Sequence, residues 1–259
     1  MSECLTAREE KVLRLRYGLM MMKDGKMSKS KGNAIPVPPL VERFGVDAVR
    51  YYLAREIVFG QDGQFTPEQF VERLNIDLAN NFGNLLNRTV SMIIKYFDGV
   101  IPPYKGELNS LDKGLKEMAE KTIKSYEILN DDLKVTEAYA AVMDLVSAAN
   151  KYIEESAPWV LAKDPAKKEE LASCMSHLAN AIFLAGSLLS PILVTKSEKL
   201  FDQLGVPASM RNYETATHFG SLGGQVVNKG EQLFPRLDEA KEVEFIQDLM
   251  KAPKEKAAA

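Results

Sequence analysis

Thr66-Pro67-Glu68-Gln69-Phe70-Val71-Glu72-Arg73-Leu74 begins the stretch on which the fold turns. Thr66 is a helix N-cap residue and Pro67 suits the first helical position. Gln69, three residues after Thr66, completes a capping box. Phe70, Leu74, Leu78, Phe82, Leu85, Ile93 and Phe97 then recur at helical spacing, a pattern that runs about 30 residues. Gly99 and Pro102-Pro103 stop it. Working downstream, helices are predicted over 111–130, 135–156 and 165–189, the last opened by Asp164-Pro165, with a shorter one over 191–203. Residues 205–237, rich in Gly, Asn, Ser and Thr, read as an extended connection. An amphipathic helix over 238–250 and a linker or tail over 251–259 follow. Upstream, residues 5–19 read as a short helix capped by Thr6 with Glu9, and 23–39 as a loop. A helix over about 40–55 carries Val41, Phe44, Val49, Tyr52 and Leu53 on one stripe. Sequential helices on short loops pack as an antiparallel bundle, so the expected class is mainly α.

Composition narrows the functions. The chain has 259 residues, 46% hydrophobic and 27% charged, ordinary values for a globular protein. No apolar run approaches the ~20 residues of a membrane span, and the start lacks a secretion signal. Two cysteines, Cys4 and Cys174, and two histidines argue against a disulfide framework or a metal site, and for a cytoplasmic setting. The net charge of −3 divides unevenly: residues 1–61 hold 11 Lys/Arg against 7 Asp/Glu, the remainder 22 against 29. Such a chain is not a general polyanion binder. Any RNA contact must come from a local surface.

Three features carry chemistry. Lys26-Met27-Ser28-Lys29-Ser30 lies in a glycine-flanked loop, where two ammonium groups and two small hydroxyls can meet a polyphosphate. A solvated charged loop is the plainer use of such a string. Five asparagines, Asn75, Asn80, Asn81, Asn84 and Asn87, crowd one predicted helix although asparagine is a poor helix former. Asn80, Asn84 and Arg88 stand at i, i+4 and i+8 and would share a face. That face suits the hydrogen-bonding edges of unstacked bases; it would equally suit bonds to neighbouring helices. The single tryptophan, Trp159, follows Ala157-Pro158 where a helix must end. It could stack on a splayed base or close the core.

The stretch Asp24-Gly25-Lys26-Met27-Ser28-Lys29-Ser30-Lys31-Gly32-Asn33 closely resembles the second signature motif of class I aminoacyl-tRNA synthetases. Phe44-Gly45-Val46-Asp47-Ala48-Val49-Arg50-Tyr51-Tyr52-Leu53, then Arg55-Glu56, Phe59-Gly60-Gln61-Asp62-Gly63 and the segment from Phe65 to Phe97, resemble methionyl-tRNA synthetases. One departure is that Pro36-Val37 stands where the family usually has Asp-Pro. The resemblance implies that Lys26 and Lys29 act catalytically on ATP phosphates, with Ser28 and Ser30 as supporting donors and Mg2+ accompanying ATP in the complete enzyme. It also implies that Asn84, Arg88 and Trp159, with Asn80 as a weaker addition, face the anticodon of a methionine tRNA. The expected architecture is an anticodon-binding bundle preceded by the tail of an α/β catalytic domain. Its expected divisions are 22–63 for that tail, 64–204 for the bundle and 205–250 for the connection and last helix.

The earlier nucleotide motif with two histidines is absent, since His177 and His218 lie far downstream. So is a methionine pocket. The chain is therefore expected to need an N-terminal catalytic half as partner, and to make no methionyl-adenylate alone. Membrane and DNA partners are not expected. Residues 5–19 instead resemble the start of the last conserved region of bacterial primary sigma factors, which makes 1–21 a candidate foreign segment. Two other readings stay open: a tRNA-binding module without catalysis, and a fusion whose bundle only scaffolds partners.

Overall fold

The computed structural model describes residues 20–22, 25–26, 35–58, 61 and 63–251. Three short strands, β1 (Met20–Met22), β2 (Gly25–Lys26) and β3 (Gly63–Gln64), form a small sheet in the order β2-β1-β3. β1 pairs antiparallel with β2 and parallel with β3. Two helices follow the lysine loop, α1 (Val37–Phe44) and α2 (Val46–Glu56), in place of the one helix expected over 40–55. Gly45 makes the break with φ 83°, a left-handed value that glycine adopts without penalty. The first helix begins three residues early because Pro38 and Pro39 sit in its opening turn, where a missing N–H costs nothing.

The stretch after Thr66 is helical throughout, but not uniformly α. Thr66 Oγ1 accepts from Gln69 N at 3.2 Å and starts α3 (Pro67–Arg73). Leu74–Gly83 is π-helical, and α4 (Asn84–Phe97) continues from it. The bundle is completed by α5 (Ser110–Asp131), α6 (Val135–Ser156), the single turn α7 (Pro158–Leu161), α8 (Lys168–Leu189) and α9 (Val194–Gln203). In the connection, α10 (Tyr213–Thr217) and an antiparallel bridge between Val100 and Val226 give local order to residues expected to be irregular. The last helix, α11 (Glu239–Lys251), packs back on α3.

α5 and α6 run antiparallel. Asp112, Thr122 and Tyr126 of the first meet Tyr152, Ala141 and Tyr139 of the second, in reversed order. α8 lies at the centre, with residues such as Met175, Leu178, Ile182 and Phe183 fully buried. By length and composition Pro165–Leu189 could cross a membrane, contrary to the sequence expectation, but 83% of its apolar window is buried inside the bundle. The chain's turn towards the sheet is tied down by buried polar groups. Asp47 Oδ2 accepts from Thr195 Oγ1 and Lys196 N, both at 2.7 Å, and so caps α9 from α2. Tyr51 OH donates to Asp77 at 2.7 Å. Burial first, then the Asp77 charge, hold that phenol well above its ordinary pKa. Arg43 grips Glu242 with two nitrogens, at 2.9 and 2.7 Å, and so joins α1 to α11.

Candidate nucleic-acid interface

The structure separates the five asparagines into those bonded within the chain and those left exposed. Asn75 is buried and bonds both the N–H and the C=O of Leu237. Asn81 Nδ2 donates to Ser147 Oγ at 2.9 Å, and its Oδ1 accepts from Asn150 at 2.6 Å. These two serve helix packing. Asn80, Asn84 and Asn87 are exposed, and among the described residues their carboxamides bond nothing in the chain.

Asn84, Asn87 and Arg88 stand at i, i+3 and i+4 within α4 and share its open face. Asn80 joins them by exposure only. It lies in the π-helical segment that precedes α4. Asn87 was not singled out by sequence, although its i+3 spacing from Asn84 was a usable signal. Glu154 was also missed. Its carboxylate meets Arg88 Nη2 at 2.6 Å, an exposed pair at 31% and 59% side-chain exposure. Pairs so open contribute roughly 0–1 kcal/mol, so Arg88 can exchange this partner for another.

Glu154 lies on the helix that leads to the tryptophan. It lies in the last turns of α6, which ends where Ala157 takes φ 44° and Pro158 opens α7. Pro158 is buried and holds that turn in place, while Trp159 beside it is 41% exposed. No aromatic ring, hydrogen bond or ion pair engages Trp159 among the described residues. It is not a core aromatic. Lys163, Lys167 and Lys168 follow it, all exposed, and add positive charge near the indole.

The same end of the bundle is braced by a buried polar cluster. Asp112 accepts from Tyr152 OH and Ser173 Oγ, both at 2.6 Å, and from Leu108 N at 3.1 Å. Ser173 in turn lies against His177. The Nδ1 of His177 faces the Ser173 carbonyl at 2.8 Å, which can only accept, so Nδ1 carries a proton. The ring is fully buried and edged by Tyr104 and Phe219. Burial pushes the Cys174 thiol up to about 11. Beside this cluster opens a cavity of about 520 Å³, lined mainly by apolar groups such as Phe97, Pro102 and Pro103, with Lys105 and Lys168 at its edge.

Tyr104 OH donates to Glu107, which also pairs with Lys116 at 2.7 Å. The Lys116 bond first, then the Tyr104 bond, lower the Glu107 carboxyl from 4.5 to about 2. A lowered folded-state pKa contributes stability that is present above the unfolded value and lost as pH falls through the folded one. Between pH 4.5 and about 2, the loss of stability in melting curves should therefore be shallower for Glu107→Gln than for the wild type. An identical slope in both proteins would contradict this. The effect is small because both side chains still reach solvent, at 32% and 29% exposure.

Of the loop residues, Lys26 pairs through its backbone with Met21 in the β1–β2 ladder. Its side chain, and Ser28, Lys29 and Ser30, lie outside the described residues, as does the 5–19 segment. Among the described residues no group of three or more His, Cys, Asp or Glu is placed to hold a metal ion.

Comparison with known proteins assigns the class. A family model described as tRNA synthetases class I (M) matches residues 9–90, and one described as the anticodon binding domain of methionyl tRNA ligase matches residues 102–252. The bundle is thus the anticodon-binding architecture of a class I synthetase, with the end of a catalytic domain before it. The chain belongs to the methionyl-tRNA ligase family. It is 52% identical over 235 residues to the methionine–tRNA ligase of Bacillus subtilis, covering 90% of this chain and 35% of that protein. The Listeria monocytogenes enzyme is 48% identical over 249 residues, covering 93% and 38%. A crystal structure of Mycobacterium tuberculosis methionyl-tRNA synthetase bound by methionyl-adenylate superposes with a TM-score of 0.77 at 32% identity, covering 83% of this chain and 43% of that one. The chain spans about a third of the length of the curated relatives it matches.

Proposed function

We propose that this chain holds the anticodon of a methionine tRNA on Asn84, Asn87, Arg88 and Trp159, with Asn80 at the margin, and contributes the lysine loop to ATP-dependent methionylation. The observation that carries the reading is the pairing of unsatisfied amides with an unstacked indole. Carboxamides left free on one helical face cost helix propensity without a structural return, and an indole 41% exposed leaves much of its surface with no partner in the chain. Both make sense against splayed bases, whose edges need donors and acceptors and whose faces need a stacking partner. Arg88 is held in reach by Glu154, a partner weak enough to be displaced.

ATP belongs to the same reading. Lys26, Ser28, Lys29 and Ser30 form a donor set suited to a polyphosphate, and Mg2+ would arrive with the nucleotide in the complete enzyme. For these residues the support is residue type and spacing. The setting is the cytoplasm, where the tRNA is.

The test is a titration of the chain with methionine tRNA and with an anticodon-swapped version, with and without a supplied N-terminal catalytic half. Anticodon-dependent binding, plus methionylation on mixing, is expected. The chain alone should leave pyrophosphate exchange at background. Binding without activity on mixing favours a non-catalytic tRNA module. Equal affinity for both tRNAs removes the anticodon reading.

A further inference from the structure

The π-helical segment Leu74–Gly83 is pinned at both ends by one stretch of the C-terminal connection. Near its start, Asn75 Nδ2 donates to the Leu237 carbonyl at 3.0 Å and Asn75 Oδ1 accepts from Leu237 N at 2.8 Å. At its end, Gly83 lies under Phe234. A Cβ on Gly83 would stand 3.8 Å from both the backbone N and O of Phe234. It would also stand 2.9 Å from the carbonyl oxygen of Leu78, five residues back. That carbonyl leans into the space a side chain would fill, so the wide turn needs glycine here. The clamping stretch is itself anchored: Leu233 and Phe234 are buried, and Lys196 lies over the Phe234 ring at 5.2 Å.

An i→i+5 bond encloses one more residue than an i→i+4 bond. Each residue so absorbed turns everything after it by about 100° round the helix axis relative to a continuous α-helix. The first amide after the wide turn is that of Asn84, which donates to Ala79 O, again five residues back. The rotational setting of Asn84, Asn87 and Arg88 is therefore decided inside Leu74–Gly83. Were that segment to tighten to α, the open face of α4 would swing away from Glu154.

We propose that Asn75 and Gly83 are positioning residues for anticodon recognition, through which residues 234–237 hold the wide turn and so aim Asn84 and Arg88. The proposal rests on the anticodon reading above. Neither residue touches RNA: Asn75 is buried and Gly83 has no side chain.

The full chain, as wild type and as N75A, G83A, R88A and W159A, is titrated with methionine tRNA and the anticodon-swapped tRNA, well below each melting midpoint. The expected result is that N75A and G83A reduce the ratio of the two affinities by about 10-fold, within the range that one bidentate base contact discriminates, while far-UV circular dichroism stays helical. A purely structural role would lower the melting point and leave the ratio intact, and that result overturns the proposal. If G83A does not fold, N75A, which removes two hydrogen bonds without a clash, decides alone. If N75A and G83A keep the wild-type ratio while R88A loses it, positioning is refuted and the anticodon reading stands. If R88A and W159A also keep the ratio, both fall.

Discussion

Trp159→Ala should weaken binding of methionine tRNA about 5- to 150-fold, the equivalent of the ~1–3 kcal/mol that stacking one base on an aromatic ring provides. The same substitution should lower the melting temperature only moderately and leave the chain folded. Trp159 is 41% exposed, stacks on no other ring among the described residues, and follows the buried Pro158 in a single helical turn. More than half of its surface is covered, so its deletion should cost about 1–3 kcal/mol of packing, less than the roughly 3–5 kcal/mol typical of a fully buried Phe or Trp. Filter binding and a thermal melt on the same preparation separate the outcomes. Unchanged affinity with a large drop in melting temperature would assign the indole to packing. Trp159→Phe should recover part of the affinity, because the smaller ring still offers a π-face.

The second large effect is on stability. Asp112→Ala should lower it by about 3–5 kcal/mol, because each buried donor left without an acceptor costs roughly 1–3 kcal/mol and Asp112 serves three: Tyr152 OH, Ser173 Oγ and Leu108 N. Asp112 is 1% exposed, so water cannot simply replace the carboxylate. For a chain of this size that is a fall in melting temperature of roughly 6–20 °C. Asp112→Asn keeps one oxygen and the side-chain shape, and should cost far less. A melt of Asp112→Ala within about 2 °C of wild type would show that the cluster does not brace this end of the bundle. Where the variant is still folded, tRNA affinity should fall too, since Tyr152 and Ser173 lie on the helices that flank Trp159.

Helix 135–156 was legible in the sequence to the residue, and 111–130 and 238–250 to within one. Two of their starts are written in local chemistry: Asn109 accepts from Leu111 N and Asp112 N, and Asp238 from Lys241 N. The break at Gly45 was harder to see, because one apolar stripe runs through both α1 and α2. The wide turn was invisible for a similar reason. Apolar residues at mixed spacings of three and four fit an α-helix well enough that a π-helical run leaves no signature of its own.

Residue types and their order along the chain were enough to identify the family and the helical class, and to nominate the lysine loop and the small set Asn84, Arg88 and Trp159. Those are properties of short range: a cap bonds within one turn, and a motif is recognised by its neighbours. Which asparagines face water was decided only by the tertiary structure. Asn81 looks no different from Asn84 along the chain, yet Ser147 and Asn150 of α6 claim it, while nothing described packs over Asn84. A side chain's facing depends on the rotation of its helix. Here that rotation follows from a wide turn held by Phe234 and Leu237, more than 140 residues further along the chain.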